Sequence, residues 1–313
     1  MITPRTTTGI ALAFVCLLIL GVMPVIANSR PDDFGALGFA FLLSVWQVVA
    51  AVPLFAWGLR GADRGIFGAR LDRRDRRRAL AIAVLTGAMF GLSTYLYVLG
   101  VEKAGAANAA IAIQAYPLFA ILCETLFLKR AKTPLELLFT AALIGALYFL
   151  GTGGTWRVAG LSPWFLLALG VPFLWSIAHV IIKEELARTP VTPAQVTFFR
   201  VLISAVFLGL VVAAVEPEAF ASALLRPDFQ LFGAAMGLVY YLELIVWFHA
   251  VRHIDVSLAS SLTTPWPALT MVLAALFLGD RIESYQIVAF AIVAASIYGL
   301  IVAGLRKQRT RAA

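Results

Sequence analysis

The sequence predicts an all-α polytopic membrane protein of ten transmembrane helices, arranged as two inverted five-helix repeats. Three observations carry that prediction. Hydrophobic residues make up 61% of the 313-residue chain, charged residues 13%, and mean hydropathy is +0.91, too apolar for a surface covered by water. The apolar runs are unbroken and about 20 residues long, enough to cross a hydrocarbon layer of about 30 Å as helix, whereas barrel strands would be about 10 residues long and would alternate. The chain also repeats itself at an offset of 150: Ala109–Lys132 overlays Ala259–Ile282 without a gap, Tyr116 on Trp266, Pro117 on Pro267, and Leu126-Phe127-Leu128 on Leu276-Phe277-Leu278.

The first copy, residues 1–155, supplies the expected spans Gly9–Ala27, Gly35–Gly58, Ala79–Leu99, Ala106–Leu128 and Pro134–Gly151. The second, residues 156–313, supplies Leu161–Ile182, Val191–Val215, Gln230–Ala250, Ser257–Leu278 and Ser284–Gly304. The first span reads as a true helix, since no small-residue cleavage site separates it from the next. A basic loop leads into the third span, whose Gly87, Leu92 and Tyr97 overlay Gly237, Leu242 and Trp247 of the eighth. The fourth opens with small residues from Ala104 to Ala110, which permit close backbone approach, and carries Pro117 midway. An acidic loop precedes the eighth. In the ninth, Pro265 and Pro267 predict a kinked or locally unwound helix. The tenth has Ala295, Gly299 and Ala303 at small-xxx-small spacing, which suits packing on the fifth span or a dimer face, so the protein is expected to be a monomer or homodimer. Cys16 and Cys123 both fall inside apolar spans and read as packing residues.

Charge sets the orientation. With the N-terminus in the cytoplasm, 19 of the 25 Lys and Arg fall in inner segments, five in outer segments, and Arg200 inside a span. That asymmetry predicts a multi-pass protein of the cytoplasmic membrane with both termini inside, and it assigns the net charge of +8 to the lipid bilayer rather than to nucleic acid. Five crossings per copy mean that the second copy starts on the opposite side, so the repeats are inverted. The basic loop Lys129, Arg130 and Lys132 accordingly has an acidic counterpart in Asp280, Arg281 and Glu283. Inverted repeats around a midplane site are a plan of secondary transporters.

At the prolines Pro117 and Pro267, the ending Leu278-Gly279-Asp280-Arg281, Trp175 followed by Lys183, and Arg200, the chain resembles the drug/metabolite transporter superfamily, specifically its EamA type with ten helices. The resemblance covers nearly the whole chain. It departs at Leu20, where the family usually has tryptophan, at Gln47, where it usually has arginine, and at Lys129-Arg130, which replaces a small-acidic pair. The resemblance implies a carrier of small metabolites, often an exporter. It also implies a structural role for Arg200.

Polar groups inside a membrane are expensive, and so are functional candidates. Glu243, near the middle of the eighth span, shares a helix face with Tyr240 and Trp247. A carboxylate between two aromatics suits a substrate ammonium, as in an amino acid, by ion pairing and cation–π attraction. It equally suits proton coupling, or an ion pair with Arg200 that locks two helices. The repeat sets Phe90, Ser93 and Tyr97 opposite Tyr240, Glu243 and Trp247, so an aromatic-walled cavity with one acidic side is expected. Trp175 and His179 share a face of the sixth span, as cavity wall or as packing. Gln114 and Thr264 precede the two prolines, where freed carbonyls line a cavity or where the side chains bond between helices. Glu124 lies a turn from Lys129 and reads as an interfacial residue.

No Walker A, HExxH or GxSxG motif occurs, and His179, His249 and His253 lack ligand spacing with carboxylates, so neither an enzyme nor a cofactor or metal is expected. No filter-like loop suggests a channel. The partners expected are the bilayer and a small-molecule substrate, moved by a gradient or by exchange.

Overall fold

The computed structural model describes residues 4–61, 64–68, 72–128, 132–254, 259 and 262–312. Lys129 and Arg130, and the side chains of Cys123, Glu124 and Lys183, lie outside the described residues. In chain order the helices are α1 (Pro4–Asn28), α2 (Ala36–Arg60), α3 (Arg73–Ala104), α4 (Ala106–Ile113), α5 (Tyr116–Leu128) and α6 (Pro134–Gly151). They continue as α7 (Pro163–Arg188), α8 (Pro193–Val215), α9 (Pro217–Leu225), α10 (Pro227–His253), α11 (Trp266–Phe277) and α12 (Ser284–Ala312).

The chain is an all-helical multi-pass membrane protein. Among the described residues, eight helices are long and apolar enough to cross a membrane. The two expected spans missing from that set are those with Pro117 and Pro267. Each is interrupted, at Gln114-Ala115 and at Thr264-Pro265, and resumes with an aromatic–proline pair, Tyr116-Pro117 or Trp266-Pro267. The proline then sits in the first turn of the resumed helix, where its missing N–H has no partner to lose. Elsewhere the expected spans lengthen: α3 starts within the basic loop, and the acidic loop winds into the short helix α9.

Two helix starts carry capping boxes, and one of them is echoed at the repeat offset. Thr133 and Glu136 form a capping box at α6, and Thr192 and Gln195 form one at α8. At α12 the Gln286 amide oxygen, in the repeat position of Glu136, accepts from the Glu283 N–H at 2.9 Å, while its NH₂ donates to Asn108 at 2.8 Å.

Two compact units emerge, and each draws helices from both sequence halves. The first comprises residues 1–29, 100–173 and 242–313. In it α6 packs on α12, burying Leu143, Ala146, Leu147 and Leu150 with Ala289, Val293, Ile297 and Leu300. Gly299 lies directly against the Phe139 ring of α6, whereas Ala295 of the same stripe is exposed. Also in this unit, α1 crosses α11 at Gly21, whose carbonyl accepts from Thr270 at 2.9 Å. The second unit comprises residues 30–99 and 174–241. There α2 packs on α8, with Phe55 stacked on Phe198 at 4.0 Å. Within the same unit the repeat-matched glycines are points of closest approach: Gly87 abuts Ile203 of α8, and Gly237 abuts the Leu43 carbonyl of α2.

Candidate functional site

Two repeat-matched stripes carry four of the eight side chains expected to meet the substrate, Tyr97, Tyr240, Glu243 and Trp247. On α3 the stripe is Phe90, Ser93 and Tyr97, and on α10 it is Tyr240, Glu243 and Trp247, each spaced i, i+3, i+7 along one face.

The α3 stripe lies in the second unit, and α7, α8 and α10 reach it there. The Trp175 indole N–H donates to the Ser93 hydroxyl at 2.9 Å. His179, one turn further along α7, sets its ring 5.4 Å from that of Phe90. Phe90 carries the Arg200 guanidinium on its face at 4.3 Å, a cation–π contact that holds a charge deep in α8. Tyr97 is 4% exposed, its ring is 6.3 Å from that of Tyr240, and its hydroxyl has no hydrogen-bond partner among the described residues. A buried hydroxyl in that state carries a desolvation cost that no hydrogen bond among the described residues offsets.

In the first unit the same position of the other stripe behaves in parallel. Glu243 is half-buried, and it accepts a hydrogen bond from the Cys16 thiol of α1 at 3.3 Å. Residues 93 and 243 are repeat mates, and so are the helices α7 and α1 that bond them. Trp247 packs against the buried cluster of Ala13, Ala250, Ile254 and Ala259. The role of Cys16 has no signature in the sequence, where a cysteine in an apolar run looks like packing. The contact joins residues 227 apart, and no local pattern announces it.

Gln114 and Thr264 also meet. The Gln114 amide donates to the Thr264 carbonyl at 2.7 Å across a sequence separation of 150, the repeat offset itself. Residues related by a two-fold axis touch only close to that axis. Both broken helices therefore place their breaks there, and the Gln114 side chain satisfies a carbonyl at the second break. The bond between helices that the sequence allows at this pair is present.

Two cavities open elsewhere. One of about 200 Å³ in the first unit is bordered by Gly105, Asp280 and Gln286, and burial pushes the Asp280 carboxyl above its ordinary range. The other, about 750 Å³ in the second unit, reaches Arg200 and also Glu185, which no sequence motif marks. Among the described residues no group of three or more His, Cys, Asp or Glu could hold a metal ion.

Comparison with known proteins gives a consistent result. The model of the EamA-like transporter family matches residues 7–152 and again residues 162–302. The uncharacterized transporter PA0485 of Pseudomonas aeruginosa is 24% identical over 295 residues, 94% of this chain and 93% of that protein. The pseudopaline exporter CntI of the same species is 31% identical over 121 residues, 37% of this chain and 38% of that protein. A solved crystal structure superposes with a TM-score of 0.62 at 18% identity, covering 94% of this chain and 97% of the other, a likeness of fold.

Proposed function

We propose that this chain, which belongs to the EamA-like transporter family, exports a small amine-bearing metabolite across the cytoplasmic membrane by alternating access. Transport across a lipid bilayer comes with the family. The substrate class, the direction and the mechanism are the reading added here. The observation that carries it is the Glu243 carboxylate, part-way along a spanning helix between Tyr240 and Trp247 and bonded by a thiol. A thiol is a weak donor, so an ammonium competes with it on favourable terms, and the flanking aromatic faces add cation–π attraction. Tyr97, Gln114, Thr264, Trp175 and His179 read from the sequence as further substrate contacts, and the buried Tyr97 hydroxyl has no hydrogen-bond partner among the described residues. Arg200, Pro117 and Pro267 hold the frame. The outward direction is supported by the partial similarity to the pseudopaline exporter. The two sequence copies, residues 1–155 and 156–313, are the elements that exchange conformations, and the distribution of Lys and Arg puts both termini in the cytoplasm.

The test is a thermal-shift screen of the purified chain and of Glu243→Gln against amino acids, polyamines, quaternary amines, sugars and nucleotides. A ligand of the folded state raises Tm by linkage, by roughly 2.7 kcal/mol of stability at a hundred times Kd. Amine-bearing compounds are expected to shift the wild type and to lose most of that shift in Glu243→Gln. Equal shifts in both proteins, or shifts by sugars and nucleotides alone, would remove Glu243 from substrate recognition and leave it a proton-handling or structural role.

A further inference from the structure

The cavity of about 750 Å³ in the second unit is built rather than incidental. One wall is the turn at residues 64–68, fixed to the start of α8 by Gln195: its amide oxygen accepts from the Ile66 N–H at 3.1 Å and its NH₂ donates to the Arg64 carbonyl at 2.8 Å. Gly65, at φ +53, has no room for a side chain because Gln195 and Thr192 lie against it. Phe67 of the turn faces Phe55 and Phe199. The remaining walls come from the start of α3, the end of α7 and α8, and they are largely apolar, with Leu80, Val196 and Ile203 among them.

Into this space α7 presents Glu185, which is 6% exposed. Among the described residues neither carboxylate oxygen has a hydrogen-bond partner, and the cation that pairs with it, Nε of the half-exposed Arg78, stands 3.7 Å away. A buried carboxylate so weakly served is costly without a donor. Arg76 and Arg200 share the lining. A bare cation would meet two guanidinium groups, and a bare anion would meet the carboxylate. A molecule with both signs and an apolar body matches every wall. Glu185 lies beyond the apolar window Pro163–Ile182 of its helix, at the end where the arginine-rich start of α3 enters, which is headgroup level rather than midplane.

We infer that this cavity binds a zwitterionic amphiphile, its primary ammonium on Glu185, its anionic group on the arginines and its apolar part along Leu80, Val196 and Ile203. Two sources share that chemistry, an aminophospholipid headgroup and a free apolar amino acid. The inference does not rest on the role of Glu243. The experiment titrates the full-length protein in detergent with lysophosphatidylethanolamine, lysophosphatidylglycerol and phenylalanine, following Tm, for the wild type, Glu185→Gln and Ile203→Trp. With a lipid source, the ethanolamine lipid binds more tightly than the glycerol lipid, Glu185→Gln weakens it about tenfold, and Ile203→Trp, which fills the cavity, abolishes it. With an amino-acid source, phenylalanine shows the same pattern across the variants and the lipids do not. Equal binding of the two lipids, binding unchanged in both variants, or no response to any zwitterion overturns the inference. Should Glu185→Gln fail to fold, Ile203→Trp alone decides.

Discussion

A carboxylate at position 243 and a hydroxyl at position 97 are both expensive where they stand. An acidic side chain within a spanning helix costs up to roughly 3 kcal/mol by insertion scales, less towards the span end where Glu243 lies, and a buried hydroxyl without a partner costs about 1–3 kcal/mol. Glu243 is partly compensated by Cys16; the Tyr97 hydroxyl has no hydrogen-bond partner among the described residues. The two groups therefore answer differently to removal. Tyr97→Phe takes away only the orphaned oxygen, so the empty protein is expected to melt at the same temperature as wild type or slightly above it. The same variant is expected to bind the substrate several-fold more weakly. If it melts lower and binds unchanged, the hydroxyl serves the fold and not the ligand. Ser93 shows why such assignments need the structure. In sequence it is only the smaller counterpart of Glu243, whereas in space it anchors the indole of Trp175.

At the scale of helices, close approach sets the terms. A Cβ at Gly237 would lie 2.6 Å from the Leu43 carbonyl oxygen, backbone that cannot step aside, and one at Gly299 would enter the Phe139 ring. Gly145, also in a helix, has nothing within 4 Å. Gly237→Val and Gly299→Leu are accordingly expected to cost about 1–3 kcal/mol or more, seen as a lower Tm and poor yield from detergent, while Gly145→Ala is neutral or raises Tm. A tolerated Gly237→Val would mean that α2 and α10 do not pack in this way. Most of the helices were legible because apolar runs of spanning length leave few alternatives. The break in the ninth span was legible from Pro265 and Pro267, while the fourth, with Pro117 midway, read as one continuous span. Proline alone was not the signal, since Pro24, Pro53 and Pro172 lie inside continuous helices. The stripes on α3 and α10 could be read from helical spacing. What touches them could not: Cys16 on Glu243, Arg200 on Phe90 and the weakly served Glu185 are products of packing between distant segments. The capping boxes had a sequence signature, Thr-Pro-x-Glu and Thr-Pro-x-Gln, which hydropathy alone passes over.

For the whole molecule, orientation is the property that can be tested without knowing the substrate. Single cysteines placed at Arg74 and Arg309, in a chain whose Cys16 and Cys123 are replaced, are expected to react with an impermeant maleimide only after cells are opened. One placed at Arg157 is expected to react in intact cells. Labelling on the reverse sides would invert the topology and with it the direction of export. The contact between Gln114 and Thr264 has a consequence at this scale as well. Two identical five-helix chains meeting about a true two-fold axis would put the same residue on both sides of that point, and two glutamines there would cross, each amide reaching for the other's carbonyl. Joining the copies into one polypeptide lets the two sides differ. With threonine opposite glutamine, one crossing survives and the other is lost, at the spot where both helices are already interrupted. The duplicated chain has exchanged a symmetric pair of bonds for a one-sided one at its helix breaks.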